Sequence, residues 1–335
     1  MEDSSNKKPI SELRFDLVSK DWVVIATGRA KKPEEFAKQE RLKITVETKD
    51  CPFCNLATQG TPLLEYKDER GKVEVAVIPN KYPAFLSSDS LRERAEGPYS
   101  LMDGVGYHEV VVTRDHKKSL AELPLAQVRL VIDAYQERYL ELANEKFVNY
   151  VSVFHNHGQE AGASIAHPHS QIIAIPIIDP DLQDSLNGSR LFFETQGECV
   201  HCKMMEWDKE DKRRVIYENK EFVVLCPFAS RAAFEARIYP KEHHPYFERI
   251  KETEKDQLAD ALQVALIKIF KGLNDPAYNF FLHTAPADGK DYGHYHWHFE
   301  ILPKTSTWAG FELGVGIEIS TVEPEAAAKY LREIK

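Results

Sequence analysis

Two halves of this chain of 335 residues carry the same features in the same order, offset by roughly 130–150 positions. Each half opens on a C-x-x-C pair, Cys51–Cys54 and then Cys199–Cys202. A short strand-like segment with Asn-Lys follows, at Asn80-Lys81 and at Asn219-Lys220. Next comes a β-rich run that ends on an acidic residue and a histidine, residues 108–116 and 236–243. A long amphipathic helix is expected after each run. Val128, Val131, Ile132, Tyr135, Tyr139 and Leu142 keep helical spacing in the first half, and Leu258, Leu262, Ala265, Leu266, Ile269 and Leu273 in the second. Pro124 suits the first turn of one helix, and Asn274-Asp275-Pro276 stops the other. Two strands close each half, residues 150–155 with 169–175 and residues 278–283 with 294–302.

Strands joined by short loops, with one long helix per half, predict an α+β fold built mainly from antiparallel sheet. The expected division is 1–185 and 186–335, with the boundary in the polar stretch 179–197. Residues 203–214, a charged stretch, are expected to form a surface loop.

Charge and composition narrow the partners. The formal net charge of −10 argues against nucleic acid, whose phosphate backbone is bound by cationic surfaces. A small anionic ligand remains compatible with local basic residues. The first residues are polar with no apolar stretch behind them, and no run approaches the length of a membrane span, so a cytoplasmic protein is expected.

In a reducing compartment a C-x-x-C pair reads as a metal or redox motif rather than a staple. The repeat extends each pair to a four-residue set. The first is Cys51, Cys54, His116 and His167; the second is Cys199, Cys202, His243 and His296. Two thiolates and two imidazoles give zinc a closed tetrahedral site with no position for a reacting water, so both zinc ions are expected to be structural. His155, His157, His244, His283 and His294 stand near enough in sequence to be alternative ligands.

The segment His167-Pro168-His169-Ser170-Gln171 carries the chemistry. Alternate residues of a strand share a face, so His167, His169 and Gln171 point the same way. One imidazole can hold metal while the next faces a ligand. A neutral imidazole attacks phosphorus at one nitrogen and leaves again readily, so His169 is the expected nucleophile. Gln171 can donate to a phosphate oxygen where charge develops. Ser164 and Asn156 are expected to contact the same ligand. The second half supplies a comparison. Its matching strand reads His296-Trp297-His298-Phe299-Glu300, with a carboxylate in place of the amide, so it is expected to be a structural copy.

These residues resemble the galactose-1-phosphate uridylyltransferase family of the histidine-triad superfamily, over residues 22 to about 329. The resembling pieces are Trp22–Ile25, Gly28-Arg29-Ala30-Lys31-Lys32-Pro33, Cys51-Pro52-Phe53-Cys54, Asp115-His116, Asn156, Ser164 and the His-Pro-His-Ser-Gln segment. The resemblance implies duplicated histidine-triad-like halves, each a half-barrel sheet with one long helix. It implies a ping-pong reaction in which His169 takes uridylyl from UDP-glucose and passes it to galactose 1-phosphate. It places Arg29 near phosphates and implies a homodimer whose sites both subunits complete. Two positions depart from the family. Lys32 keeps the charge of an arginine without its planar fork, and Glu318 aligns with a hexose-contacting Gln. The second cysteine pair resembles a two-zinc branch that includes ADP-glucose:phosphate adenylyltransferases, in which the acceptor is inorganic phosphate. Asn80, with Lys81 and Tyr82, is expected to approach the nucleotide.

Hexose-1-phosphate uridylyl transfer is the leading expectation, and adenylyl transfer from ADP-glucose to phosphate is the second. A non-catalytic zinc-binding interaction module would not need Gln171. A histidine-triad hydrolase would end the motif in a further histidine where Gln171 stands.

Overall fold

The computed structural model describes residues 10–26, 32–38 and 47–335. Among the described residues fifteen strands and seven α-helices follow one another. Strands β1 (Glu12–Phe15) and β2 (Trp22–Ile25) precede a short helix α1 (Pro33–Phe36). The first half then runs β3 (Leu64–Lys67), β4 (Val73–Pro79), β5 (Glu93–Glu96), β6 (Tyr99–Met102), β7 (Tyr107–Thr113), α2 (Leu125–Ala143), β8 (Tyr150–His157) and β9 (His169–Ile175). Two helices connect the halves, α3 (Pro180–Gln196) and α4 (Val200–Asp211). The second half runs β10 (Val215–Glu218), β11 (Phe222–Leu225), β12 (Ala236–Pro240), α5 (Glu252–Gly272), β13 (Tyr278–His283) and β14 (His298–Pro303). It closes with α6 (Gly310–Val315), β15 (Ile319–Ser320) and α7 (Pro324–Glu333).

Ten strands form one antiparallel sheet in the order β10-β11-β12-β14-β13-β8-β9-β7-β4-β3. Each half contributes five neighbouring strands, and the halves meet where β13 pairs with β8, with Asn279 opposite Asn156 and Phe281 opposite Phe154. The repeat in sequence is therefore a near two-fold arrangement in one sheet. Strand alternation decides what each face holds. Val151, Val153, Ile172, Ala174, Phe280, Leu282, Trp297, Phe299 and Ile301 point to one side. There they meet the buried stripes of α2 and α5, including Val131, Tyr135, Leu262 and Leu266. Full burial of such side chains contributes roughly 1.5–3 kcal/mol each. This core runs through both halves without a break, so the helices cover one face and leave the other for His169 and Gln171.

Ion pairs fasten the helices to each other and to the sheet. Lys255 of α5, 8% exposed, reaches Asp133 of α2 at 2.8 Å. Arg138 of α2 grips Glu109 of β7 with two bonds, Nε to Oε2 at 2.8 Å and Nη2 to Oε1 at 2.6 Å, and both residues are buried. Gly106 lets β7 start close to the end of β9, because a Cβ there would lie 2.2 Å from the Ala174 carbonyl oxygen.

The stretch 179–197 between the halves is α3, with Asp179 accepting the Leu182 N–H as its cap and Gly197 in a left-handed conformation ending it. Two expectations change. Residues 203–214 lie largely in α4, whose Val200, His201, Met205 and Asp208 are buried. Its remaining charges form the solvated face that read as a loop. Pro124 stands at the cap of α2, one residue ahead of its first turn. The left-handed Asn274 and Asp275 follow the end of α5 as expected.

Candidate active site and metal centres

The two Cys2His2 sets assemble. Cys51, Cys54, His116 and His167 place one ligand atom each within 4.8 Å of one another, and so do Cys199, Cys202, His243 and His296. His155, His157, His244, His283 and His294 belong to neither set. In the first set Cys51 Sγ and Cys54 Sγ each lie 3.5 Å from His167 Nδ1, and Cys54 Sγ lies 3.1 Å from His116 Nδ1. In the second, Cys202 Sγ is 3.4 Å from both His243 Nδ1 and His296 Nδ1. A tetrahedral zinc with ordinary bond lengths separates sulfur from nitrogen by about 3.6 Å.

The outer hydrogen bonds fit as well. His167 Nε2 donates to the Thr113 carbonyl at 2.7 Å, His243 Nε2 to that of Gly293 at 2.9 Å and His296 Nε2 to that of Pro240 at 3.0 Å. Each bond leaves Nδ1 as a lone-pair donor aimed at the centre. Burial and the neighbouring Cys51 push the Cys54 thiol up to about 11, so a divalent cation is what would hold this pair as thiolates. Residues and geometry thus suit two metal ions, which would tie the Cys51–Cys54 loop and the start of α4 to the sheet.

Strand β9 lies beside the first set. His169 and Gln171 share the helix-free face of β9, where Val112 and Val110 of β7 are their partners. On the other side Phe154 of β8 pairs with Gln171 and His155 with Ser170, which sets Asn156 across from His169. His169 is 8% exposed, and its Nδ1 donates to the His167 carbonyl at 2.9 Å. That bond fixes the tautomer with the Nε2 lone pair free. Burial lowers the imidazole pKa below its ordinary value, with the bond to the His167 carbonyl opposing, so the ring is neutral near pH 7.

Asn156 is held by Asn279, which donates to its Oδ1 at 2.8 Å. Ser164 is exposed on the turn leading into β9. Asn80 follows β4; its N–H donates to the His108 carbonyl and its Oδ1 accepts the Tyr82 N–H at 2.9 Å.

Two sequence-predicted residues are not assembled there, and Arg29 lies outside the described residues. Lys32 leads α1, whose Phe36 packs edge-on against Phe234 of the second half at 5.3 Å. Glu318 precedes β15, which runs beside β2, and its carboxyl is raised by burial with Arg231 opposing. Lys32 and Glu318 therefore keep company with the second half.

Two residues at the first site were not singled out in the sequence. Phe53, between the two cysteines, sets its ring 4.9 Å from that of His169 and 5.9 Å from that of His167. An apolar residue inside a C-x-x-C loop is the only signal it gave. His108, which the sequence offers merely as the start of a strand, lies with Nε2 2.8 Å from Gln171 Oε1.

The second half repeats the pose with a carboxylate in place of the amide. His298 Nδ1 donates to the His296 carbonyl at 3.1 Å, as His169 does to that of His167. The pairing of β13 with β14 puts Glu300 where Gln171 stands and His283 where Asn156 stands. Arg231 and Arg237 both pair with Glu300, the latter at 3.3 Å. Burial works against the Glu300 charge, but the two guanidinium groups outweigh it and hold the carboxyl well below its usual range. A fixed carboxylate with its charge already satisfied cannot donate to a phosphate oxygen.

A duplicated α+β sheet that presents one neutral, tautomer-fixed imidazole beside a glutamine amide is the framework of a nucleotidyltransferase. Comparison with known proteins agrees. Residues 2–178 match the profile of the galactose-1-phosphate uridyl transferase N-terminal domain, and residues 105–333 match a domain of unknown function. The chain is 34% identical to an ADP-glucose phosphorylase of Arabidopsis thaliana over 98% of this chain and 94% of the relative. It is 30% identical to a galactose-1-phosphate uridylyltransferase of Thermotoga maritima over 96% and 98%. The solved structure of the Arabidopsis ADP-glucose phosphorylase with bound ADP-glucose superposes with a TM-score of 0.80 at 31% identity, covering 97% of this chain and all of that one. The chain belongs to the galactose-1-phosphate uridylyltransferase family.

Proposed function

We propose that this protein moves a nucleoside monophosphate from a nucleoside diphosphate glucose to a phosphate-bearing acceptor through a covalent intermediate on His169. The pose of His169 carries the reading: one ring nitrogen is tied to a backbone carbonyl, the other is unprotonated, and the ring is buried and neutral. In the first step Nε2 attacks the α-phosphorus. The bond from that phosphorus to the bridging oxygen breaks, and glucose 1-phosphate leaves with the electron pair. In the second step an acceptor oxygen attacks the same phosphorus, and the P–N bond breaks to return its pair to Nε2. The Gln171 amide N–H groups stabilise the charge that gathers on the phosphate oxygens. Asn80, Asn156 and Ser164 bind the nucleotide and its phosphates. Zinc at the two Cys2His2 sets would hold loops, and neither set offers a position for a reacting ligand.

ADP-glucose as donor and inorganic phosphate as acceptor is the specific reading we favour. The 34% identity to a phosphorylase of that name supports it, as does the carboxylate of Glu318 where a hexose-contacting amide stands in the uridylyltransferases. Transfer of uridylyl from UDP-glucose to galactose 1-phosphate is the second reading, supported by the His-Pro-His form of the motif and the Thermotoga relative. Lys32 and Glu318 would then act on the site of a second copy in a homodimer, since they pack in the second half of their own chain.

Intact-mass spectrometry after mixing with ADP-glucose or UDP-glucose, with no acceptor, tests the reading. The expected result is a mass gain of one nucleoside monophosphate on His169, with the base naming the substrate. An adduct that persists in His169→Ala, or none with either sugar nucleotide, overturns it.

A further inference from the structure

His108 stands beside the transfer site with its proton placed by the backbone. Its Nδ1 lies 3.2 Å from the Ala84 backbone N–H, a group that can only donate. Nδ1 must therefore be the bare acceptor of the ring, and in a neutral imidazole the proton then sits on Nε2. That nitrogen is 2.8 Å from Gln171 Oε1. The direction of this bond follows: His108 Nε2–H donates, and Gln171 accepts through its oxygen. An amide that accepts with its oxygen turns its NH2 the other way. Asn80 Nδ2 lies 3.0 Å from the same His108 nitrogen, but Asn80 Oδ1 is already taken by the Tyr82 N–H. With Nδ1 taken by the Ala84 N–H and the Nε2 proton shared with Gln171 at the shorter distance, the Asn80 NH2 meets Nε2–H donor to donor, a contact that is no hydrogen bond and works against this ring proton without removing the backbone donor at Nδ1.

The ring itself is well anchored. The Asn80 N–H bonds to the His108 carbonyl, and Ala84 caps Nδ1. On the opposite face of the strand the adjacent Glu109 is gripped by Arg138, which fixes how β7 lies on α2. The second half lacks this device altogether, because the Glu300 carboxylate at the place of Gln171 is paired with guanidinium groups.

We infer that His108 is a positioning residue for nucleotidyl transfer: it locks the Gln171 side chain so that its NH2, and not its oxygen, faces the phosphate that His169 attacks. This inference rests on the transfer reading above. A flipped Gln171 would aim an oxygen at the phosphate oxygens, opposing the reaction with lone pairs where it needs donors. His108 never touches the nucleotide in this role; it acts through Gln171.

Single-turnover formation of the His169 adduct, followed by intact mass on the full-length protein over a range of sugar nucleotide concentrations, tests it. Whichever of ADP-glucose and UDP-glucose labels the unaltered protein is the probe. His108→Phe is expected to slow the saturated rate by about 10- to 100-fold, the usual consequence of removing a supporting hydrogen bond behind a reacting group. The half-saturating concentration should change less than the rate, because the amide donors matter most where charge gathers on the phosphate oxygens in the transition state. His108→Gln can accept from Ala84 with its oxygen and donate to Gln171 with its nitrogen, so it should restore most of the rate. The effect should also vanish in a Gln171→Ala background, where there is no amide left to orient. His108→Phe reacting at the unaltered rate overturns the inference while leaving the transfer reading intact. An equal loss in both backgrounds also overturns it, since that marks a role in folding and not in positioning. An unaltered protein that forms no adduct overturns the transfer reading and this inference with it.

Discussion

His155 ought to make this protein measurably acid-sensitive. The ring lies in the core beneath β9, 1% exposed, stacked parallel to Phe280 at a centroid distance of 4.9 Å. Its Nδ1 contacts Ser170 Oγ at 3.0 Å, and that hydroxyl meets Tyr135 at 2.5 Å. Its Nε2 is buried without a hydrogen-bond partner. Burial, with His157 and His169 nearby, drives its pKa well below the ordinary value. The unfolded chain therefore takes up a proton near pH 6.5 that the folded chain refuses. At pH 7.5 the group is neutral in both states and costs nothing. As the pH falls below about 6.5, the unfolded state gains one proton over the folded state, and stability drops by about 1.4 kcal/mol per pH unit for this group.

His155→Phe removes that proton. The aromatic ring can keep its place over Phe280. It loses the contact with Ser170, worth about 1 kcal/mol, and loses a buried unpaired nitrogen whose cost is of similar size. The variant should accordingly lie within about 1 kcal/mol of the unaltered protein at pH 7.5. Urea denaturation at pH 7.5, 6.5 and 5.5, in zinc-containing buffer, would measure the difference. The gap between the two proteins should move by about 1 kcal/mol in favour of the variant by pH 5.5. Other histidines and the metal ligands titrate in both proteins alike and cancel. Stability curves that stay parallel across this range would refute the argument, because they would mean that His155 is protonated in the folded state.

Cys54→Ser and Cys202→Ser should each lower metal content by one ion per chain when measured by plasma emission on protein never exposed to chelator, with zinc the expected metal. Loss of only one ion on mutating both would show that one set does not bind. Arg138→Met should cost about 3–5 kcal/mol in urea denaturation, since it leaves Glu109 charged and buried, and adding Glu109→Gln should recover a good part of that loss.

Much of the site could be read in the sequence, for a local reason. Residues two apart on a strand share a face, so His169 and Gln171 were bound to act together wherever the strand went. The repeat made the same point about metal: two cysteines three apart and two distant histidines, twice over, converge as two sets. The helix stripes of α2 and α5 were equally plain, because a buried helical face is periodic in the chain itself. Helix α4 was missed on the same logic. Its few buried residues include an aspartate, Asp208, which is paired with Arg214, so no apolar stripe announced it.

What the sequence by itself determined, then, is the inventory: a histidine and a glutamine two apart on one strand, two Cys2His2 sets, and a second half with Glu300 where the first has Gln171. Tertiary structure decided how these are aimed. His108 reaches Gln171 across 63 residues of chain only because β7 lies beside β9 in one particular register. Phe53 backs His169 only because the cysteine loop is drawn onto the sheet. Lys32 and Glu318 gather with the second half, away from the histidine they were expected to serve, through the packing of α1 on Phe234 and of β15 on β2. Lateral strand pairing and packing join residues with no fixed separation along the chain, whereas periodicity within a strand or helix is written into the chain itself.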